Sequence, residues 1–341
     1  MRELRLHQLS VVAIFHFDVV ESMKTSSEIC QVCAGPLQPY LYMPIDAKKD
    51  EPTPFSTVVQ CRLCKLAMIF PLPRVDEVSA FYQLPQYYTH GEGHMRRVEE
   101  HLPDKILARI AWSFDRAKPF NVDEMMKRLS PGASICDLGC GHGVLLQRFK
   151  QLGCEVIGVD PDSSARELGA RSGITVLAGT AEKLPVELGN RQFDLVLMTH
   201  SLEHCIDPMA ALANAARLTK RGGFFYCEVP NCGCLHFRAF TVCSEMFDSP
   251  RHLWFFTADS LRQALDKSGF IFDSWRFEGF SRHHSRSWRE WEATIFDRLA
   301  KRSMKAKSRH TLFRSAVLLV QSAFVSAAWK YDCVGVLARN G

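Results

Sequence analysis

Several things that would define a protein class are missing from this chain. No apolar run is long enough to span a membrane. Leu9 to Val20 is interrupted by His16 and Asp18, and Ala316 to Trp329 is broken by Gln321 and by serines, whereas a spanning helix needs about 20 apolar residues. The first run lacks the small-residue cleavage site that an export signal requires. Charge of one sign is scarce as well: a net charge of +5 over 341 residues is far from the concentrated basicity of a dedicated nucleic-acid binder. These absences leave a globular chain, and an apolar fraction of 47% is ordinary for one with a sizeable core. Its 13 cysteines, with no export signal, argue for a reducing compartment in which thiols are buried or bind metal. A cytoplasmic location is expected. Residues 1–22 are expected to be a disordered extension or a misassigned start, since the first recognisable element follows Met23.

Four of the cysteines form two C-x-x-C knuckles, Cys30-Gln-Val-Cys33 and Cys61-Arg-Leu-Cys64, the second beginning 27 residues after the first ends. Each knuckle presents two sulfurs to one ion, so the pair supplies four thiolates in tetrahedral arrangement. Four protein ligands leave no position for water or substrate. The metal expected there, Zn(2+), is structural.

The chain is organised around Ser134 to Asp160, which reads as a strand, the glycine-rich turn Asp137-Leu-Gly139-Cys140-Gly141-His-Gly143, an amphipathic helix and a second strand ending on Asp160. A strand that turns at once into a helix needs positive φ angles and a backbone free of Cβ atoms where a ligand lies against it. An acid at the next strand end meets the hydroxyls of a ribose. The spacing is G-x-G-x-G, not the G-x-G-x-x-G that seats a pyrophosphate. Asp137 before the turn suits a cationic ligand better than a phosphate.

This stretch resembles motif I and the acidic strand end of the class I S-adenosylmethionine (SAM) methyltransferases. After the second knuckle, Leu66 to Pro73 with Pro71 and Pro73, then Phe81, Tyr82, Tyr87 and Tyr88, resemble bacterial proteins that join a zinc ribbon to such a domain. The resemblance implies an α/β fold: a Rossmann-like class I methyltransferase sheet with helices on both faces and an antiparallel last strand, plus a small N-terminal zinc ribbon. It implies SAM as cofactor, held by Asp137, Gly139, Cys140, Gly141, Gly143 and Asp160. Gly179-Thr180-Ala181 is the segment that packs beside the adenine in that family, with Thr180 standing where an acid is usual. Phe81 is expected in the core between the domains, and Tyr87 and Tyr88 either there or over the active-site mouth.

Further along, Phe193-Asp194 to Met198 reads as a fourth strand running into His200-Ser-Leu-Glu203-His204 and Asp207-Pro208, similar to the family's "L-E-H-x-x-D-P". His200 is expected to line the SAM and acceptor pocket, with His204 opening the next helix. The run Phe247 to Thr257 contains Arg251-His252, where zinc-ribbon sugar C-methyltransferases carry a Glu-His pair. The acid is missing, which favours an oxygen or nitrogen acceptor whose proton one base can remove. His252 and His200 are the candidate bases, and Arg251 a candidate for a substrate carboxylate or phosphate.

The domains expected are the extension 1–22, the ribbon 23–75, a helical linker or cap 76–129, the SAM-binding core 130–280, a helical insertion 281–330 and a closing strand 331–341. The function expected is methyl transfer from SAM to an oxygen of a small-molecule, saccharide-type or lipid-linked acceptor. Alternatives are C-methylation of a nucleotide sugar, RNA methylation and non-catalytic SAM binding. Nucleic acid is disfavoured because no N-P-P-Y-type motif follows the fourth strand and the ribbon's charges nearly cancel. Between Arg298 and Arg314 there are seven Lys or Arg and no acid, ahead of the apolar run. Residues 298–329 are therefore read either as helix within the domain or as a peripheral contact with an anionic membrane, which would place a cytoplasmic protein at a membrane surface.

Overall fold

The computed structural model describes residues 29–82 and 98–341. The expectations for residues 1–22, Tyr87 and Tyr88 lie outside those residues.

The N-terminal part contains β1 (Leu37–Tyr42), β2 (Ile45–Asp46), β3 (Glu51–Pro52), β4 (Thr57–Cys61) and β5 (Ala67–Phe70), followed by helix α1 (Val75–Phe81). Two more helices, α2 (Leu102–Phe114) and α3 (Val122–Met126), separated by Pro119, lead to the core. Its strands are β6 (Ser134–Leu138), β7 (Glu155–Asp160), β8 (Val176–Ala178), β9 (Phe193–Thr199), β10 (Thr219–Pro230), β11 (Trp254–Phe255), β12 (Phe270–Glu278) and β13 (Cys333–Asn340). The intervening helices are α4 (Val144–Gln151), α5 (Ser163–Arg171), α6 (Pro208–Leu218), α7 (Leu235–Phe240), α8 (Ala258–Lys267), α9 (Arg286–Lys301), α10 (Leu312–Ser322) and α11 (Ala327–Lys330).

The main sheet runs β8-β7-β6-β9-β10-β13-β12. The strands from β8 to β10 pair in parallel, and β13 lies antiparallel to both β10 and β12. Strand order reverses between β6 and β9, and open α/β sheets bind ligands outside the carboxyl ends of the strands at such a point. Parallel strands are buried on both faces and so read as continuous apolar runs, with alternate residues packing into different cores. Leu195 and Leu197 of β9 join Val122, Leu146 and Phe149 of α3 and α4. Val196 and Met198 join Leu212 of α6 and Leu261 and Leu265 of α8. Helices thus cover both faces, and the fold is that of the class I methyltransferases with an antiparallel closing strand.

One boundary differs from the sequence expectation. The ribbon's sheet has the order β1-β4-β5-β11, so its fourth strand comes from the core. Trp254 pairs with Met68 and Phe255 with Ala67, and Ile69 N donates to Leu253 O at 2.9 Å. Phe81 is buried edge-on against Phe55, with ring centroids 5.2 Å apart. Ribbon and core share one apolar cluster.

Candidate active site

The turn after β6 is shaped by what surrounds it. At Gly139, with φ of 82°, a Cβ would stand 2.4 Å from the Ser201 Cβ, because the segment after β9 crosses there and the Ser201 hydroxyl donates to Leu138 O at 2.8 Å. At Gly141, with φ of 51°, a Cβ would meet nothing within 4 Å. The backbone there borders open space, as a ligand cradle requires. Cys140 lies between them, half-buried, and Gly143 caps α4 in the left-handed conformation.

Asp160 closes β7 beside this turn. Its Oδ2 accepts from Gly141 N at 2.8 Å and its Oδ1 from Asp162 N at 2.9 Å. Each carboxylate oxygen keeps lone-pair capacity for a ribose hydroxyl. Asp137 is fully buried at the end of β6, and its Oδ1 has no hydrogen-bond partner. Burial, helped by the Asp160 charge, pushes its carboxyl up to about 7. An orphaned buried carboxylate beside a glycine cradle and a second acid fits a ligand that carries a positive charge and a ribose, as SAM does. Thr180 is held in a turn, its hydroxyl accepting from Lys183 N at 3.0 Å, and the buried Ala181 gives its carbonyl to Asn214 Nδ2 at 2.9 Å. Glu182 Oε1 accepts from Ile206 N at 2.7 Å and ties this loop to the segment after β9.

His200 follows β9 with φ of 51°, a left-handed conformation that costs a non-glycine residue on the order of 1–3 kcal/mol and persists only where its surroundings enforce it. Its N–H donates to Glu228 O at 2.9 Å. Its ring lies between two carboxylates, 3.4 Å from Glu203 Oε1 and 3.4 Å from Glu228 Oε1, with Cys333 Sγ 3.8 Å from Nε2. Burial opposes its charge, but the Cys333 sulfur and the two glutamates prevail and hold its pKa well above the usual range. The resemblance pointed to His200, while Glu228 and Cys333 escaped the sequence reading. The available signal was a lone acid in the apolar run Phe224-Phe-Tyr-Cys-Glu228-Val.

His204 closes a short 3-10 turn and does not open a helix: α6 starts at Pro208 with the Asp207 side chain accepting from Ala210 N. Its Nδ1 lies 2.9 Å from Arg251 O and 3.0 Å from Tyr82 Oη. His252 Nδ1 lies 2.9 Å from Met246 O. Carbonyl oxygens only accept, so both rings carry a proton on Nδ1. The rings meet edge to face with centroids 4.9 Å apart. Burial, reinforced by His204, lowers His252 to about 4, so it is neutral. Beside them the Glu203 carboxylate is fully buried with no aligned hydrogen bond on either oxygen. One atom from each of Glu203, His204 and His252 lies within 4.8 Å of the others, a set able to move protons or to hold a cation.

Arg251 corrects the sequence expectation of a substrate anchor. Its buried guanidinium donates to both oxygens of Asp46 at 2.8 and 2.7 Å, to Asp248 Oδ1 at 2.8 Å and to Phe81 O at 3.2 Å. It joins core to ribbon and leaves His252 as the ionisable partner of that pair nearest Glu203.

In the ribbon, Cys30, Cys33, Cys61 and Cys64 converge within 4.8 Å, with Sγ–Sγ distances of 3.5 Å for Cys30 and Cys64 and 3.4 Å for Cys33 and Cys61. Sulfurs at the corners of a zinc tetrahedron stand about 3.8 Å apart, so the cluster fits the ion. The Cys64 thiol beside it draws Cys30 down to about 5, and the same contact pushes Cys64 up. Four sulfurs this close cannot all be thiolates without a cation.

Sheet order, glycine cradle and strand-end acid together define an enzyme of the class I methyltransferase type. A family model described as a methyltransferase domain matches residues 111–273. Among curated proteins, the ubiquinone biosynthesis O-methyltransferase of Ruegeria pomeroyi is 33% identical over 196 residues, covering 51% of this chain and 76% of the relative. Its counterpart from Roseobacter denitrificans is 30% identical over 204 residues, covering 52% and 77%. The chain belongs to the SAM-dependent methyltransferase family. Among solved structures, a SAM-dependent methyltransferase from Archaeoglobus fulgidus is 18% identical, covers 74% of this chain and 100% of its own, and gives a TM-score of 0.46. One from Thermotoga maritima is 21% identical, covers 69% and 92%, and gives 0.44.

Proposed function

We propose that the protein methylates an oxygen of a small-molecule acceptor, saccharide-type or lipid-linked, and that its four ribbon cysteines hold a structural zinc. SAM, when bound, supplies a methyl group already activated on a sulfonium. The protein then has to align the acceptor and take its proton. In this reading Asp160 and the Gly139–Gly143 turn hold the nucleoside, and Asp137 provides the negative charge that favours a cationic donor. The Nε2 of His252 would take the proton of the acceptor hydroxyl as the methyl passes to that oxygen, the methyl–sulfur bond breaking and the donor leaving as a neutral thioether. Glu203, buried without an aligned partner, stabilises the imidazolium that results. His200, whose charged form Glu203 and Glu228 favour, lines the pocket as a donor.

The observation that carries this reading is the neutral imidazole of His252 beside the buried Glu203 carboxylate, which has no aligned hydrogen bond, with Arg251 wholly engaged where a C-methyltransferase would have an acid. A single base suffices for a hydroxyl. The relatives at 30% and 33% identity are O-methyltransferases, which supports an oxygen acceptor.

The test is transfer of labelled methyl from SAM into a desalted host lysate fractionated into protein, nucleic acid, polar small-molecule and lipid-extractable pools, with Asp160→Ala and His252→Gln as controls. Label in a small-molecule or lipid pool that both substitutions remove supports the proposal. Label in RNA, or none in any pool despite SAM binding, overturns it.

A further inference from the structure

We propose that helix α2 and the C-terminal helix α10 form a face that docks on an anionic lipid surface. The starting observation is an inverted helix. On α10 the residues turned inward are Ser315, Leu319 and Ser322, while Phe313, Val317 and Val320, followed by Phe324, are 77%, 39%, 64% and 85% exposed. Steps of four, three and four place these four side chains on one face of a helix. The register is pinned from inside, because the Ser315 hydroxyl lies 2.8 Å from His284 Nδ1. A helix that turns serines in and aromatic and branched apolar side chains out is built for an apolar phase on its outer side.

Helix α2 repeats the pattern next to it. Leu107 and Ala111 pack in a cluster with Leu319 and Ala316 of α10, while Leu102, Ile106, Ile110 and Phe114, every fourth residue, are 71%, 51%, 42% and 52% exposed.

Charge decides what covers this face. From Arg298 to Lys330 there are eight Lys or Arg and no Asp or Glu. Lys301, Lys305 and Arg314, and on α2 Lys105 and Arg109, are exposed and make no ion pair among the described residues. A second copy of this chain seated on the face by two-fold symmetry would set this acid-free cationic stretch against itself. A membrane with anionic headgroups supplies both the apolar layer and the missing negative charge. Helix α10 has 11 residues, roughly 16 Å, against a hydrocarbon core of about 30 Å, so it lies along the surface and does not cross it. The chain passes from this face through α11 to Cys333, whose sulfur is 3.8 Å from His200 Nε2. Docking would bring the catalytic edge close to molecules dissolved in the lipid.

The test needs no acceptor. Full-length protein is sedimented with vesicles of phosphatidylcholine alone and with phosphatidylglycerol added, next to a Phe313→Ser/Val320→Ser/Phe324→Ser variant and a Lys305→Glu/Arg314→Glu variant. SAM binding by calorimetry checks that each is folded. Expected is binding that requires phosphatidylglycerol, weakens with salt and falls at least tenfold in both variants. The charge variant leaves the apolar stripe intact and decides the question should the triple variant fold poorly. Equal binding by wild type and charge variant, no sedimentation with either vesicle, or a concentration-dependent dimer that the triple variant dissolves would each overturn the proposal.

Discussion

Arg251 of the core and Asp46 of the ribbon are 205 residues apart in sequence and share two hydrogen bonds of 2.7 and 2.8 Å, with both side chains buried. Asp248 and Lys48 complete the group, their own pair at 2.7 Å. Removing one member leaves an uncompensated buried charge, which costs about 3–5 kcal/mol. Arg251→Ala should therefore lower the unfolding free energy of the whole protein by that order, read from denaturant unfolding. Because β11 is a strand of both parts, ribbon and core should unfold in one transition. Two separate transitions in the wild type would refute the coupling.

The ribbon's own stability should depend on metal. Elemental analysis should find one zinc per chain, and Cys64→Ser should lose it. Closed four-thiolate sites contribute folding energy directly, so chelation should lower the melting temperature of the core as well as the ribbon, through the β5–β11 pairing. A core that melts unchanged without metal would show the ribbon to be thermally independent.

Asp160 accepts two backbone N–H bonds in the absence of ligand and offers its remaining lone pairs to a ribose. Hydrogen bonds to a charged group contribute about 1.5–3 kcal/mol. Asp160→Ala should then weaken SAM binding by about 10- to 100-fold in calorimetry. The Gly139–Gly143 turn should survive the change, so the far-ultraviolet circular dichroism should not move.

Asp137 gives a pH signature with a defined sign. Its folded pKa, about 7, lies above the ordinary carboxyl value of 3.8, so the folded state holds the proton more tightly. The contribution is fully present below about pH 4 and is lost as pH rises through about 7. Asp137→Asn should remove that slope and, at pH 8, stabilise the ligand-free protein by about 2–4 kcal/mol. The same substitution should weaken SAM binding, since the charge that burdens the empty fold is the one a cationic ligand compensates. Denaturation between pH 4 and 8, with and without SAM, separates the two effects.

The parts of the fold that were legible in the sequence are those whose physics is local. The runs Ser134 to Leu138 and Phe193 to Thr199 are continuous and apolar because parallel strands are buried on both faces, and glycines mark the turn from the first into its helix. The two-residue β11 was not legible: Trp254 and Phe255 form a strand only because Met68 and Ala67 pair with them, and no periodicity exists in two residues. Arg251 misled for a similar reason. An arginine before a histidine reads as a substrate anchor until Asp46 is placed against it. At the site, motif spacing brought out Asp137, Asp160 and His200. The protonation of His200 depends on Glu228 and Cys333, which reach it from two other strands. The inverted amphipathicity of α10 was invisible as well, since an apolar run does not say which of its sides faces in.

The two candidate bases differ in charge, and that difference can be measured. His252 is lowered to about 4 by burial and by His204, so it is neutral and able to accept a proton across the physiological range. His200 is held well above its usual value, so it gains base strength at a higher pH than His252. With saturating SAM and acceptor, kcat should be flat from about pH 5 to 8 if His252 takes the proton, since general-base assistance follows the unprotonated fraction. It should climb with pH if His200 does. His252→Gln should cost about a hundredfold or more in kcat with SAM affinity intact. His200→Gln keeps a hydrogen-bonding side chain but removes the charge, so it should act mainly on KM for the acceptor. A rising profile together with a small effect of His252→Gln would transfer the role to His200 and leave Glu203 as its counter-ion alone.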